Sequence, residues 1–226
     1  ELTYSDDEPG LSSDSRLCYT FEKAGDFLVE VRDIRYQGGA NYFYRLRIGD
    51  FPCVAVPHPM GAKRGTQVIL NFAGPNVDGA QPVRIQVPSD PQVTSVNVAA
   101  KRAGGQSSGF ALLAVGGSDE FIEQEPNDDP KQANRILLGV TMNGRLGQPG
   151  DADRYVFTVK KGQKYTFAGI TRQLGSPTDL YLQILDAGGK KVVEAEDSGT
   201  IDGVINYTFP ADGDYTLVVE DLHHRG

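Results

Sequence analysis

Along most of the chain hydrophobic and polar residues alternate with period two, the pattern that turns one face of a β-strand toward a core. The clearest runs are 26–34, 41–48, 67–72, 83–87, 109–115, 154–159, 164–170, 179–185, 204–209 and 214–221. Turn residues separate them: Gly38-Gly39, Asp78-Gly79, Lys161-Gly162, Ala187-Gly188-Gly189 and Asp212-Gly213, the chemistry that tight hairpin connections need. The one stretch able to turn helically, Pro130 to Asn134, is too short to be stable alone. These patterns predict an all-β chain of tandem antiparallel sandwiches, jelly-roll or immunoglobulin-like, without substantial helix.

One pattern occurs twice. Tyr19-Thr20-Phe21, Gly25-Asp26-Phe27, Val29, Val31 and Asp33 recur at a fixed offset as Tyr207-Thr208-Phe209, Gly213-Asp214-Tyr215, Leu217, Val219 and Asp221. Each copy reads as a strand, a tight turn and a second strand facing one core. The first copy runs on into Asn41 to Ile48, whereas Gly226 is the counterpart of Gly38. The expectation is therefore three units: residues 1–50 as the C-terminal part of a first repeat, 51–122 as a separate small sandwich, and 123–226 as a second repeat without its last strand. It follows that the edge near Asp214 to Asp221 is open and that Asn41 to Ile48 is the type of strand to fill it, by exchange within or between chains. The first residue is Glu1, with no initiator methionine or leader features, which predicts a processed chain or a segment of a longer one.

Composition narrows the function. The 226 residues carry 22 basic and 30 acidic side chains, a formal charge of -8, which disfavours nucleic acid as a partner. No apolar run nears the roughly 18 residues of a membrane span. Cys18 and Cys53 are the only cysteines; they read as two thiols, with a single bridge as the alternative, and their spacing fits neither zinc nor redox motifs.

The segment from Glu123 onward resembles the bacterial pre-peptidase C-terminal domain family. The matching residues are Glu123-Gln124-Glu125-Pro126-Asn127-Asp128, Gln132-Ala133-Asn134, Gly144, and Gly150-Asp151-Ala152-Asp153-Arg154-Tyr155-Val156-Phe157. Lys161-Gly162-Gln163, Thr178-Asp179-Leu180, Asp186-Ala187-Gly188-Gly189 and Gly213-Asp214-Tyr215 complete the pattern. The middle segment is similar to immunoglobulin-like modules of the IPT type. The resemblance implies a non-catalytic β-sandwich module of exported proteins, often beside secreted peptidases. Relatives in bacterial collagenases bind collagen and coordinate calcium through a linker of this kind plus aspartates on a later loop. Carried over by position, that nominates Glu123, Glu125, Asn127, Asp128, Asp151 and Asp153 as metal ligands. The residues themselves agree: with Asp129 they concentrate hard oxygen donors of the sort calcium takes six to eight of. A solvated acidic linker with turn-forming aspartates is the competing reading.

Other candidates are weaker. His58, His223 and His224 are the only histidines and fit no zinc spacing. Gly-x-Ser-x-Gly is absent, so no catalytic residue is nominated. Lys63-Arg64 and Lys160-Lys161 read as hairpin ends, and Gly104-Gly105 and Gly116-Gly117 as turn glycines. Tyr36, Tyr42, Phe43 and Tyr44 read as strand core first and ligand surface second. The sequence thus predicts a spacer or adhesion module of a secreted or cell-surface bacterial protein, with neighbouring domains of a longer chain as partners and calcium as the one cofactor. The alternatives are a module binding an extracellular polymer, fibrous protein or polysaccharide, and an accessory segment of a secreted peptidase.

Overall fold

The computed structural model describes residues 1–7, 14–104, 109–196 and 202–225; Gly105 and Gly226 lie outside them. All fifteen strands of the described residues fall after residue 55, and the only helical element is a 3₁₀ turn, Arg172–Leu174. The all-β expectation holds.

Six short strands build the middle unit. β1 (Val56–His58), β3 (Gln67–Ala73) and β4 (Val83–Gln86) form one antiparallel sheet. β2 (Gly61–Lys63), β6 (Ala111–Gly116) and β5 (Ser95–Val98) form the other, with β2 parallel and β5 antiparallel to the central β6. Alternate residues close the space between them: Leu70, Val87, Val98, Leu113 and Val115 are buried with Val54, Ala62, Ala100 and Ala111. Gly74 can only be glycine here. Its φ is +140°, and a Cβ would sit 2.5 Å from the Ala55 amide nitrogen and 2.6 Å from the Cys53 oxygen, inside hard-sphere contact.

β7 (Glu120–Ile122) leaves this unit and pairs in parallel with β9 (Thr141–Asn143). The C-terminal sandwich follows. Its larger sheet runs in the order β13 (Lys191–Ala195), β12 (Leu180–Leu185), β15 (Gly213–Asp221), β10 (Ala152–Val159), β8 (Asn134–Arg135). Over it lies a two-stranded sheet of β11 (Lys164–Ala168) and β14 (Val204–Thr208). Phe157, Ile184, Ile205, Phe209 and Tyr215 meet in the core, with the Phe209 ring 4.7 Å from that of Tyr215 and 5.8 Å from that of Phe157.

Three expectations need correction. Residues 14–50 form no strand, so the runs 26–34 and 41–48 are extended chain without a ladder. Phe209 and Tyr215 are 0% and 6% exposed, while their first-copy counterparts Phe21 and Phe27 are 54% and 47% exposed. The pattern is the same, but the first copy has no sheet of described residues against which to bury its apolar face, and strands need such partners. The tyrosine and phenylalanine cluster is accordingly not core: Tyr36, Tyr42, Phe43 and Tyr44 are all exposed. Finally, the edge near Asp214 to Asp221 is closed. β15 is hydrogen-bonded to β10 on one side and β12 on the other, leaving no place there for an exchanged strand.

Burial sets the stability consequence. Phe209→Ala should cost about 3–5 kcal/mol, whereas Phe43→Ala, at a 90% exposed position, should stay within about 0.5 kcal/mol. Urea denaturation of the two variants measures both.

Candidate metal centre

The junction between the two sandwiches places the acidic residues. Because Ile122 lies opposite Asn143 in the β7–β9 pair, the residues that follow, Glu123 and Gly144, emerge side by side. The Glu123 amide donates to the Asn143 carbonyl at 3.1 Å. Asn143 itself ties the units together. Its side-chain oxygen accepts from the amides of Met60 (2.9 Å) and Gly61 (3.1 Å) in the middle unit, and its nitrogen donates to Glu120 at 2.7 Å. Lys63 and Asp119 add an ion pair at 2.5 Å across an exposed part of the same region.

Asp153 enters from the inward face of β10, two residues before Tyr155, as period-two geometry requires. Carboxylate oxygens of Glu123, Glu125 and Asp153 lie within 4.8 Å of one another. Glu123 accepts from the Tyr155 hydroxyl at 3.1 Å and the Arg145 amide at 2.5 Å. Gly144 closes the floor: a Cβ there would come within 2.6 Å of Glu123 Oε2 and 2.9 Å of both Asp153 Oδ2 and Tyr155 Oη. Glu125 accepts from the Asn127 amide at 2.9 Å, which seats Asn127 beneath the surface at 0% exposure.

Electrostatics are one-sided. Burial, then the neighbouring Glu123 carboxylate, pushes Asp153 up to about 8, with the charges of Asp151 and Glu125 adding to it. Partial burial and the charges of Glu123, Asp151 and Asp128 raise Glu125. A side-chain contact with Asp151 raises Asp128, and burial with the surrounding carboxylates raises the Tyr155 hydroxyl. The nearby guanidinium of Arg154 is spent on the Asp128 carbonyl, at 2.6 Å. Both polar side-chain atoms of Asn127, and Oδ1 of Asp153, are buried with no hydrogen-bond partner. A buried oxygen without a donor costs on the order of 1–3 kcal/mol, and a cation removes that cost for every oxygen that it touches.

All six nominated residues thus occupy one region, in two parts. Glu123, Glu125 and Asp153 converge with Asn127 beside them, while Asp128 and Asp151 form a neighbouring pair at the turn before β10. In that turn Asp151 accepts from Gly147 at 2.5 Å, and Asp128 accepts from Ala152 at 3.4 Å. Asp129 stands apart, accepting from the Lys131 amide in a local turn. Sequence reasoning missed Asn143, Glu120 and Tyr155 as parts of the site. Their signal lay in strand register across the junction, which no local spacing carries.

Among the described residues no histidine belongs to the Glu123, Glu125 and Asp153 cluster. His223 lies 3.3 Å from Asp179, in the turn beyond β15. His58 is half-buried at the end of β1, and burial lowers its pKa against the raising effect of Glu123.

Residues 151–221 match the bacterial pre-peptidase C-terminal domain. The match covers β10 to β15 and includes Asp151 and Asp153. A 102-residue stretch is 35% identical to a probable subtilase-type serine protease of Deinococcus radiodurans, covering 44% of this chain and 14% of the relative. The chain therefore spans a small part of that protein's length. Among solved structures, the Bacteroides ovatus SGBP-B protein of a mixed-linkage glucan utilization locus, in complex with a mixed-linkage heptasaccharide, matches at 16% identity. That match covers 77% of this chain and 40% of the other, with a TM-score of 0.25; a likeness this loose carries no weight. No helix of the described residues is long and apolar enough to cross a membrane.

In metal-free protein the raised Asp153 has a definite pH signature. Its folded pKa exceeds the unfolded value, so its contribution is fully present below about 4 and is lost as pH rises toward about 8. Stability in excess EDTA should fall over that window by at most about 1.4 kcal/mol per pH unit. Asp153→Asn should flatten this part of the profile, as read by melting at a series of pH values.

Proposed function

We propose that this chain is an exported, non-catalytic accessory segment in which a calcium ion at the Glu123, Glu125 and Asp153 cluster fixes the C-terminal sandwich to its neighbour. The observation that carries the reading is the fully buried Asn127, whose side-chain amide has no protein partner, beside three converging carboxylates. Hard oxygen donors, carboxylate and amide together, are what calcium takes and what softer metals do not select. The pre-peptidase C-terminal domain match and the subtilase-type relative support an exported setting and the role of accessory to a larger protein. On this reading the six-stranded middle unit is an immunoglobulin-like spacer of the IPT type, and the protein acts at the cell surface or beyond as a spacer or adhesion module.

A second reading, binding of an extracellular polymer, is favoured by one surface. Leu180, Leu182 and Ile184 of β12 face the core, so Tyr181 and Gln183 point outward. There they line an open cleft with Lys191, Glu194, Glu220 and His224. A tyrosine flanked by hydrogen-bonding groups on a sheet suits a fibrous protein or a polysaccharide chain. Under this reading Tyr181→Ala weakens co-sedimentation with insoluble collagen or glucan several-fold; equal sedimentation of variant and parent rejects the cleft as the contact.

Melting in excess EDTA and in about 1 mM calcium tests the first reading. With a dissociation constant near 0.1 mM, in the range of extracellular modules, calcium should stabilise by about 1.4 kcal/mol, a shift of about 3–6 °C. Asp153→Asn and Asn127→Ala should each abolish the shift. No response at several millimolar calcium contradicts it.

A further inference from the structure

We propose that the apolar face of the 14–50 segment is a preformed docking surface for strands of the β10 and β12 type, supplied by the same polypeptide from a stretch ahead of that segment. The repeat is one of structure as well as of sequence. Asp33 Oδ1 accepts from the amides of Arg35 at 2.9 Å and Gln37 at 3.0 Å, and Tyr36, at φ +56°, donates its amide to the Asp33 carbonyl at 2.9 Å. In the second copy Asp221 Oδ1 accepts from the amides of His223 and Arg225, both at 3.0 Å, and His224, at φ +52°, donates to the Asp221 carbonyl at 2.9 Å. The two turns share the same three bonds, although only the aspartate is common to Asp33-Ile34-Arg35-Tyr36-Gln37 and Asp221-Leu222-His223-His224-Arg225.

The rings agree too. Tyr19 meets Phe21 edge-on with centroids 5.1 Å apart, as Tyr207 meets Phe209 at 5.0 Å. Phe21 lies 4.2 Å from Phe27, and Phe209 lies 4.7 Å from Tyr215. One aromatic cluster is in a core and its twin faces solvent. The buried copy therefore identifies what the exposed copy is shaped to receive. There β10 and β12 flank β15, with Phe157 opposite Tyr215, Tyr155 and Ile184 opposite Leu217, and Leu182 opposite Val219. Carried back by the repeat offset, the same residue types stand opposite Phe27, Val29 and Val31, which are 47%, 55% and 48% exposed. Unpaired backbone along such a run is a template for strand addition, and alternate apolar residues set the register.

A polar contact fixes the same register. Asp221 Oδ2 accepts from the amide of Asp179, immediately before β12, at 2.9 Å. Asp33 holds its own turn through Oδ1, as Asp221 does, which assigns its Oδ2 to the corresponding amide of the incoming strand. Chain order names the source: β10 to β13 precede β14 and β15 in the second copy, so their equivalents precede Tyr19. A second copy of this chain is not the occupant, because its β10 and β12 are already bonded to its own β15. The segment is held in place for docking, with Arg16 donating to the Val54 carbonyl at one end and Asp50 paired with Arg102 at 2.6 Å at the other. The surface is independent of the acidic cluster and of any metal.

The test compares this chain with a graft in which a copy of its own residues 123–206 replaces residues 1–18, so that Tyr19 follows the probe strands as Tyr207 follows them in the second copy. Amide hydrogen exchange is read residue by residue by NMR on the monomers. In this chain the amides of residues 28–32 should exchange as in unstructured peptide, while those of Arg35, Tyr36 and Gln37 are slowed and lose that protection in Asp33→Ala. In the graft, exchange at 28–32 should slow about ten-fold or more, and Phe27→Ala should reverse the slowing there. Exchange at 28–32 that is unchanged in the graft, whether or not the graft folds, or already slow in this chain as a monomer, would overturn the proposal. Slowing that arises in this chain only as it dimerises would make a second copy the occupant and overturn it equally.

Discussion

Like charge packed into a partly buried space is the constraint on which the junction depends. Carboxylate oxygens of Glu123, Glu125 and Asp153 lie within 4.8 Å of one another, Asp128 and Asp151 sit next to them, and the negative charges of Glu123, Asp151 and Glu125 all act to raise Asp153. Protein-protein hydrogen bonds meet part of the cost: the Tyr155 hydroxyl and the Arg145 amide both donate to Glu123. The remainder is met by protonation, with Asp153 pushed to about 8, or by a bound cation. A proton neutralises one oxygen, whereas a divalent ion satisfies several and draws the carboxylates inward together.

The same few residues link the two sandwiches. Asn143 bonds to Met60 and Gly61 from the last position of β9, and Gly144 immediately after it leaves the room that a Cβ would take from Glu123 and Asp153. A change in how closely the carboxylates approach therefore acts within one residue of the bonds that hold the middle unit. In a chain of modules, stiffness at such a joint decides whether the units act as a rod or a tether. On the proposed calcium reading, the setting of that joint follows the concentration of the ion around it.

Much of this was legible beforehand. The strands at 67–73, 152–159, 164–168, 180–185, 204–208 and 213–221 follow from alternation, and the acidic residues were nominated from a resemblance that their chemistry supports. The strands that alternation missed share one cause. β7, β8 and β9 are two or three residues long, too short for a pattern, and exist because of their pairing. The first repeat copy failed in the opposite sense. Tyr19, Phe21 and Phe27 repeat the residue types of the buried second copy, but alternation states a preference that only a neighbouring sheet fulfils. Asn143 and Gly144 became visible only when register set them beside Glu123.

The most direct measurement is sensitised luminescence of terbium, a calcium substitute, in this tryptophan-free chain. Tyr155, whose hydroxyl bonds to Glu123, is placed to pass excitation energy to an ion held by the cluster. The account predicts emission on excitation of tyrosine, displaced by calcium, lost in Asp153→Asn and strongly reduced in Tyr155→Phe. Emission unchanged in both variants would place the ion elsewhere and contradict it.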